Sequence, residues 1–123
     1  MEKKTILIID DDPSVCASMA LILEPDYRAI ISNNAIDGLE QLKKVPEILL
    51  VLLDIRMPIM DGFTALPEIK KIRPDVKISI VTAGRPDTIQ EKIEEMGVHD
   101  YIIKPFGVQD FLSRIEQLIG APE

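Results

Sequence analysis

The sequence predicts an α/β domain: a doubly wound, five-stranded parallel sheet with five helices. Two observations carry this prediction. Short apolar runs alternate along the chain with stretches whose apolar residues recur at helical spacing. The most apolar runs have almost no polar residue, which is typical of parallel strands that helices cover on both faces. A length of 123 residues suits one domain, which we expect to cover residues 1–123.

Five apolar runs are the predicted strands. They are Thr5–Ile9, Arg28–Ser32, Ile48–Leu53, Lys77–Val81 and Tyr101–Ile103. The third run is apolar on every residue and the first is nearly so, which favours central positions in the sheet. Because parallel strands require crossover connections, helices are expected between them.

Helices are predicted where apolar residues form stripes. The clearest stripes are Val15–Leu23, Ala35–Leu42, Ile89–Met96 and Val108–Ile119. Asp12 precedes a proline, a pattern typical of an N-cap, whereas Gly97 and Gly120 stand where glycine ends a helix. In the third helix Pro67 would break the interior, so we expect a late start with Thr64 as the N-cap.

Composition excludes several classes of function. The formal net charge of -7 repels nucleic acid and anionic membranes, so we expect neither as a direct partner. Cys16 is the single cysteine, which rules out an internal disulfide, favours a cytoplasmic location and predicts a small packing residue. The first apolar run stops at an acidic triplet, too soon for a signal peptide or a membrane span.

Four of the five predicted strands are followed by polar side chains that could act together at one site. They are the carboxylates of Asp10, Asp11 and Asp54, the hydroxyl of Thr82 and the amine of Lys104. The second strand ends in Ser32-Asn33-Asn34, which carries no comparable charge. Ligands of such sheets bind beyond the carboxyl ends of the strands, where crowded carboxylates repel one another unless a cation joins them. Oxygen ligands favour a hard dication such as Mg²⁺, and the lysine adds a second positive charge.

Four stretches in this order and spacing resemble the receiver domains of two-component response regulators, a CheY-like family. They are residues 6–13 (ILIIDDDP), 52–62 (LLDIRMPIMDG), 80–84 (IVTAG) and 101–106 (YIIKPF). The resemblance extends from about Lys4 to about Gly120 and implies a flavodoxin-like sheet with strand order 2-1-3-4-5. Asp12 lies outside the family's acidic pair, which agrees with its interpretation as a helix cap.

The resemblance implies a phosphorylation site at Asp54. This residue would accept a phosphoryl group from a histidine kinase or a phosphotransfer protein. Asp54, Asp11 and the backbone carbonyl of Arg56 would bind Mg²⁺ directly, and Asp10 would act through water. Lys104 would pair with Asp54 at rest and with the phosphoryl group afterwards.

The resemblance also implies a conformational switch. The Thr82 hydroxyl and the backbone N–H of Ala83 would hydrogen-bond the phosphoryl group, and Tyr101 would then move from an exposed to a buried position. The face formed by the fourth helix, fifth strand and fifth helix would change shape and bind an output partner or domain, or a second copy in a phosphorylation-dependent homodimer. Alternatively, Tyr101 is a half-exposed strand aromatic without a switching role. The Lys104-Pro105 peptide is commonly cis in this family.

Two other functions stay open. One is a receiver-like scaffold that binds partners without phosphorylation, although the acids and the lysine are all present. The other is a Mg²⁺-dependent phosphatase that uses Asp54 as a covalent nucleophile. Haloacid-dehalogenase-type enzymes share that chemistry, but they carry a cap domain for which this chain has no room. We expect self-catalysed phosphotransfer and dephosphorylation, not turnover of an outside substrate.

Overall fold

The computed structural model describes residues 3–55, 62–83, 91, 94–98 and 100–122. Within them lie five strands: β1 (Thr5–Ile9), β2 (Arg28–Ser32), β3 (Ile48–Leu53), β4 (Lys77–Thr82) and β5 (Tyr101–Ile103). The same residues contain helices α1 (Pro13–Leu23), α2 (Ala35–Lys44) and α3 (Gly62–Ile72), and the C-terminal helix (Val108–Ile119). Ile89 and Ile93 of the predicted fourth helix lie outside the described residues. In the described part of the chain, every helix is too short or too polar to cross a bilayer.

The five strands form one parallel sheet in the order β2-β1-β3-β4-β5. This confirms the predicted sheet and its flavodoxin-like order, and each predicted strand is present, with β4 one residue longer than expected. The register between β1 and β3 shifts once, because Thr5 lies opposite Ile48 and Ile6 lies opposite Leu50. Leu49 is therefore a bulged residue, and its side chain is exposed.

Two apolar layers cover the sheet. One layer joins α2 and α3 to β1, β3 and β4; it includes Leu42, Leu66 and Ile69 with Leu7, Ile9, Val51, Leu53 and Ile80. The other joins α1 and the C-terminal helix to the opposite face; it includes Cys16, Met19, Leu23, Phe111 and Ile115 with Ile6, Ile8, Leu50 and Leu52. Successive residues of β1 and β3 thus enter opposite layers, which explains why every residue of these runs except Thr5 is apolar.

Helix α3 differs from the sequence prediction. It begins at Gly62, so Thr64 is not its N-cap and Pro67 lies inside it. The expectation of a late start was wrong because Pro67 is exposed, where a missing N–H removes no buried hydrogen bond. The buried face formed by Gly62, Ala65, Leu66 and Ile69 holds the helix on the sheet despite the proline.

The other helix ends follow the sequence pattern. The carboxylate of Asp12 accepts hydrogen bonds from the backbone N–H groups of Ser14 (2.9 Å) and Val15 (3.4 Å), and Pro13 is the first helical residue. Gly97 and Gly120 have φ angles of 82° and 83°, a region that side chains disfavour. The Asp12 cap and the Gly120 stop are thus confirmed, whereas the helix that Gly97 would end lies largely outside the described residues and that stop stays a prediction.

Candidate functional site

Backbone hydrogen bonds continue the sheet by one residue beyond three of its strands. The N–H of Asp10 donates to Ser32 (3.1 Å), that of Asp54 to Ile9 (2.9 Å), and that of Lys104 to the carbonyl of Thr82 (2.8 Å). The residue that follows each strand is therefore still held in register with its neighbour. This places the two aspartates and the lysine along one edge of the sheet, as the sequence predicted.

Asp10, Asp11 and Asp54 form an acidic cluster at this edge. Each offers a carboxylate oxygen, and these oxygens all lie within 4.8 Å of one another. Asp10 is 1% exposed and Asp54 is 6% exposed, whereas Asp11 is open to solvent. Carboxylates this close together repel one another when no cation lies among them. Three carboxylate oxygens this close together fit a hard dication such as Mg²⁺, which prefers oxygen ligands.

Both carboxylate oxygens of Asp10 have partners. The Lys104 ammonium donates to Oδ2 over 2.8 Å, and the backbone N–H of Asp12 donates to Oδ1 over 3.0 Å. The lysine follows β5 and precedes a cis peptide bond to Pro105. It thus neutralises the most buried acid of the cluster. The pairing of Lys104 with Asp54 that the resemblance implies stays a prediction.

A closed set of hydrogen bonds lies behind Asp10. The Cys16 thiol donates to the Asp10 carbonyl oxygen (3.3 Å), and the Asn33 Nδ2 group donates to the same oxygen (3.2 Å) and to the Cys16 sulfur (3.6 Å). Burial, with the nearby charges of Asp10 and Asp12, raises the pKa of Cys16 to about 11. The thiol is therefore a neutral donor, and its burial confirms the predicted packing role.

Asn33 is the residue at this edge that sequence reasoning missed. The end of β2 carries no charge, so the pattern of charged residues does not point to it, yet β2 pairs directly with β1. That pairing, in which Ile9 lies opposite Ser32, was the available signal, since the residue after β2 must lie beside Asp10.

The remaining predicted residues lie in or directly after β4 and β5, or fall outside the described chain. Thr82 ends β4 and is 2% exposed, and Ala83 follows it at the surface. Tyr101 is partly buried, lies opposite Ile80 in the sheet and packs against the core. Tyr101 also lines a surface groove of about 520 Å³ between β5 and the C-terminal helix. Arg56 lies outside the described residues.

Gly62 brings the start of α3 against the chain that carries Asp54. Its N–H donates to the carbonyl oxygen of Ile55 over 3.2 Å. A Cβ atom at this position would lie 2.6 Å from the Cα of Ile55 and 2.8 Å from the backbone oxygen of Asp54. Because those atoms are backbone, only glycine permits this approach.

Comparison with known proteins agrees with this geometry. Residues 6–116 match the family described as the response regulator receiver domain. The transcriptional regulatory protein ZraR of Klebsiella oxytoca is 43% identical over 108 residues, which are 85% of this chain and 24% of that protein. The chemotaxis protein CheY of Treponema pallidum (strain Nichols) is 31% identical over 117 residues, 93% of this chain and 81% of that protein.

A solved structure gives the same result. The crystal structure of a CheY-like response regulator receiver domain protein from Methanospirillum hungatei JF-1 superposes with a TM-score of 0.85 at 33% identity, over 93% of this chain and 91% of that one. Among the first curated relatives, which include three transcriptional regulatory proteins, the chain spans about a quarter to a half of each protein's length (24%, 50%, 26% and 48%). The family match, the sheet order and the acidic edge agree, and the chain belongs to the response regulator receiver domain family.

Proposed function

We propose that this receiver domain accepts a phosphoryl group on the Asp54 carboxylate, with Mg²⁺ required, from the phosphohistidine of a histidine kinase or phosphotransfer protein. The observation that carries the proposal is the acidic cluster, whose oxygens lie within 4.8 Å of one another beside the Lys104 ammonium. A scaffold that only binds partners gains nothing from mutually repelling carboxylates, two of them buried. A phosphoacceptor needs them, because they gather the cation that phosphoryl transfer uses.

The cation would be held by the carboxylates of Asp11 and Asp54 and by the backbone carbonyl of Arg56, with Asp10 acting through water. When bound, Mg²⁺ neutralises negative charge on the carboxylates and on the group being transferred. Asp10 suits the indirect role because Lys104 and a backbone N–H already occupy its oxygens. Asp11 suits direct binding because its side chain is exposed.

In the transfer step, an Asp54 carboxylate oxygen forms a bond to phosphorus while the P–N bond of the donor breaks. The imidazole leaves with the bonding electrons and takes up a proton, and an acyl phosphate remains on Asp54. Lys104 moves from Asp10 to a phosphoryl oxygen, to which the Thr82 hydroxyl and the Ala83 N–H also donate. Because the acceptor is the domain's own residue, each transfer changes the domain, and later attack by water restores it. This is signalling chemistry, not turnover of an outside substrate.

We extend the proposal to a conformational switch between Thr82 and Tyr101. Thr82 is in β4 and lies opposite Ile103 of β5, and Tyr101 is in β5 and lies opposite Ile80 of β4. Inward rotation of Thr82 toward the phosphoryl group frees space for Tyr101, and the surface groove that Tyr101 lines then changes shape. An output partner or domain, or a second copy of the chain, binds there. Structures with and without Mg²⁺ and beryllofluoride test this, and one Tyr101 rotamer in both would exclude the switch.

The proposal extends to the cellular location of the domain and to the partners that it contacts. A cytoplasmic location suits a lone, buried, reduced cysteine and a kinase donor. The net charge of -7 disfavours direct contact with nucleic acid or anionic lipid, so any regulation of transcription would pass through another domain or protein. Size-exclusion chromatography with and without beryllofluoride and Mg²⁺ tests the phosphorylation-dependent homodimer.

Phosphorylation itself is tested with acetyl phosphate as the donor and intact mass as the readout. We expect addition of one phosphoryl group with Mg²⁺, none with EDTA, and none in Asp54→Asn. The control is Asp12→Asn, which makes the same charge change nearby and keeps the helix cap; it should label like the wild type. Full labelling of Asp54→Asn at another residue would overturn the assignment. Absence of labelling in the wild type favours the scaffold, and turnover of small phosphomonoesters favours the phosphatase.

A further inference from the structure

The backbone carbonyl of Asp10 is held by side chains from two different elements. Cys16, in α1, donates its thiol hydrogen to this oxygen over 3.3 Å, and Asn33, after β2, donates an amide N–H over 3.2 Å. The orientation of the Asn33 amide follows from chemistry, because a carbonyl oxygen only accepts and so requires the NH₂ group. The same NH₂ group lies 3.6 Å from the Cys16 sulfur, which closes the set.

These contacts complete the restraint of Asp10. Its N–H donates to Ser32, its Oδ1 accepts from Asp12, and its Oδ2 accepts from Lys104. The carbonyl is the last polar group of the residue, and it belongs to the peptide that leads into Asp11. A fixed carbonyl fixes the plane of that peptide, and therefore the positions of the Asp11 N and Cα atoms from which the Asp11 side chain extends.

We propose that Asn33 is a positioning residue for the metal site: by holding the Asp10–Asp11 peptide, it orients the Asp11 carboxylate toward the cluster. The proposal rests on the proposed function, since it assigns Mg²⁺ to that cluster. Groups that orient metal ligands typically change affinity by about 10- to 100-fold when removed. Asn33 acts through one peptide group and Cys16 still holds the carbonyl, so we expect the lower end of that range, about tenfold.

The neighbouring Asn34 provides a matched control. Its Oδ1 accepts from the N–H of Asp37 over 2.8 Å, so it caps α2 and has no described contact with Asp10. Asn33→Ala and Asn34→Ala remove the same amide from adjacent positions of one loop. The first should weaken Mg²⁺ binding and change stability little, because the Asn33 side chain is exposed. The second should lower stability and leave Mg²⁺ affinity unchanged.

The experiment measures Mg²⁺ dissociation constants by two-dimensional ¹H–¹⁵N NMR titration, and urea unfolding in EDTA, for the wild type and both variants. A metal-free signature accompanies them: loss of the hydrogen bond should shift the ¹³C resonance of the Asp10 carbonyl upfield in Asn33→Ala but not in Asn34→Ala. We expect about tenfold weaker binding in Asn33→Ala alone. Equal Mg²⁺ affinity in the wild type and Asn33→Ala, or an unmoved carbonyl resonance, would overturn the positioning role. A wild type that does not bind Mg²⁺ near these aspartates would instead overturn the proposed function.

Discussion

Neutralising Asp11 should stabilise the protein in the absence of metal. The Asp11 carboxylate lies within 4.8 Å of those of Asp10 and Asp54, and it makes no hydrogen bond or ion pair within the described chain. Asp11→Asn keeps the shape of the side chain, removes one negative charge and breaks none of the described contacts. The substitution therefore isolates the repulsion that the cluster carries when no cation is bound.

The size of this effect follows from Coulomb's law. Two unit charges 4.8 Å apart repel by about 0.9 kcal/mol in water and by about 3.5 kcal/mol at the effective dielectric constant of a protein surface. Asp11 is exposed, and Lys104 compensates Asp10, so the water value is the better guide. We expect the free energy of unfolding to rise by about 1 kcal/mol, which moves a urea midpoint by roughly 0.3–1 M.

Urea unfolding followed by circular dichroism measures this, first in EDTA and then in saturating Mg²⁺. The order of stabilities should reverse with metal, because binding at 100 times the dissociation constant stabilises by about 2.7 kcal/mol and the variant has lost a direct ligand. Asp12→Asn is the control for net charge, and its stability should change little in either condition. If Asp11→Asn is less stable than the wild type in EDTA, the carboxylates are not in repulsion and the electrostatic reasoning fails.

Three further changes test other parts of the structure. Gly62→Ala should lower the free energy of unfolding by about 2 kcal/mol in urea titrations, because its Cβ would stand 2.6 Å from the Cα of Ile55; an unchanged midpoint would contradict this contact. Ser32→Ala should be neutral or stabilising by up to about 1 kcal/mol, because this buried hydroxyl has no partner among the described residues; a clear loss would reveal one. The raised pKa of Cys16 means that the folded state favours the neutral thiol. The stabilisation of the folded state by this preference is fully present below pH 9.0 and is lost as pH rises toward about 11. The stability of the wild type relative to Cys16→Ala, followed by urea unfolding in EDTA, should fall by about 1 kcal/mol between pH 8 and pH 10, and a constant difference would argue against the shift.

The sheet could be predicted from sequence because burial on two faces leaves a simple signature. β1 and β3 place alternate residues in opposite apolar layers, so both runs are apolar apart from Thr5, and the predicted bounds of both strands agree with the structure. The predicted start of helix α3 was wrong. The prediction rested on the local effect of proline on the backbone, whereas the packing of the helix on the sheet determines where it begins. The prediction treats Pro67 as a break, but the sequence does not show that Pro67 faces solvent while Leu66 and Ile69 face the sheet.

At the candidate site, the charged residues could be predicted from the sequence, whereas the neutral residue Asn33 could not. Asp10, Asp54 and Lys104 were identified because charged residues after apolar strands are conspicuous, and the sheet then brings them to one edge. Asn33 carries no charge, and its importance depends on two distances, 3.2 Å to the Asp10 carbonyl and 3.6 Å to the Cys16 sulfur, that no residue pattern encodes. A search for charged residues in the sequence does not find neutral side chains that donate to backbone carbonyls. They are nevertheless suited to orienting carboxylates, because they restrain the backbone without competing for the cation that the carboxylates bind.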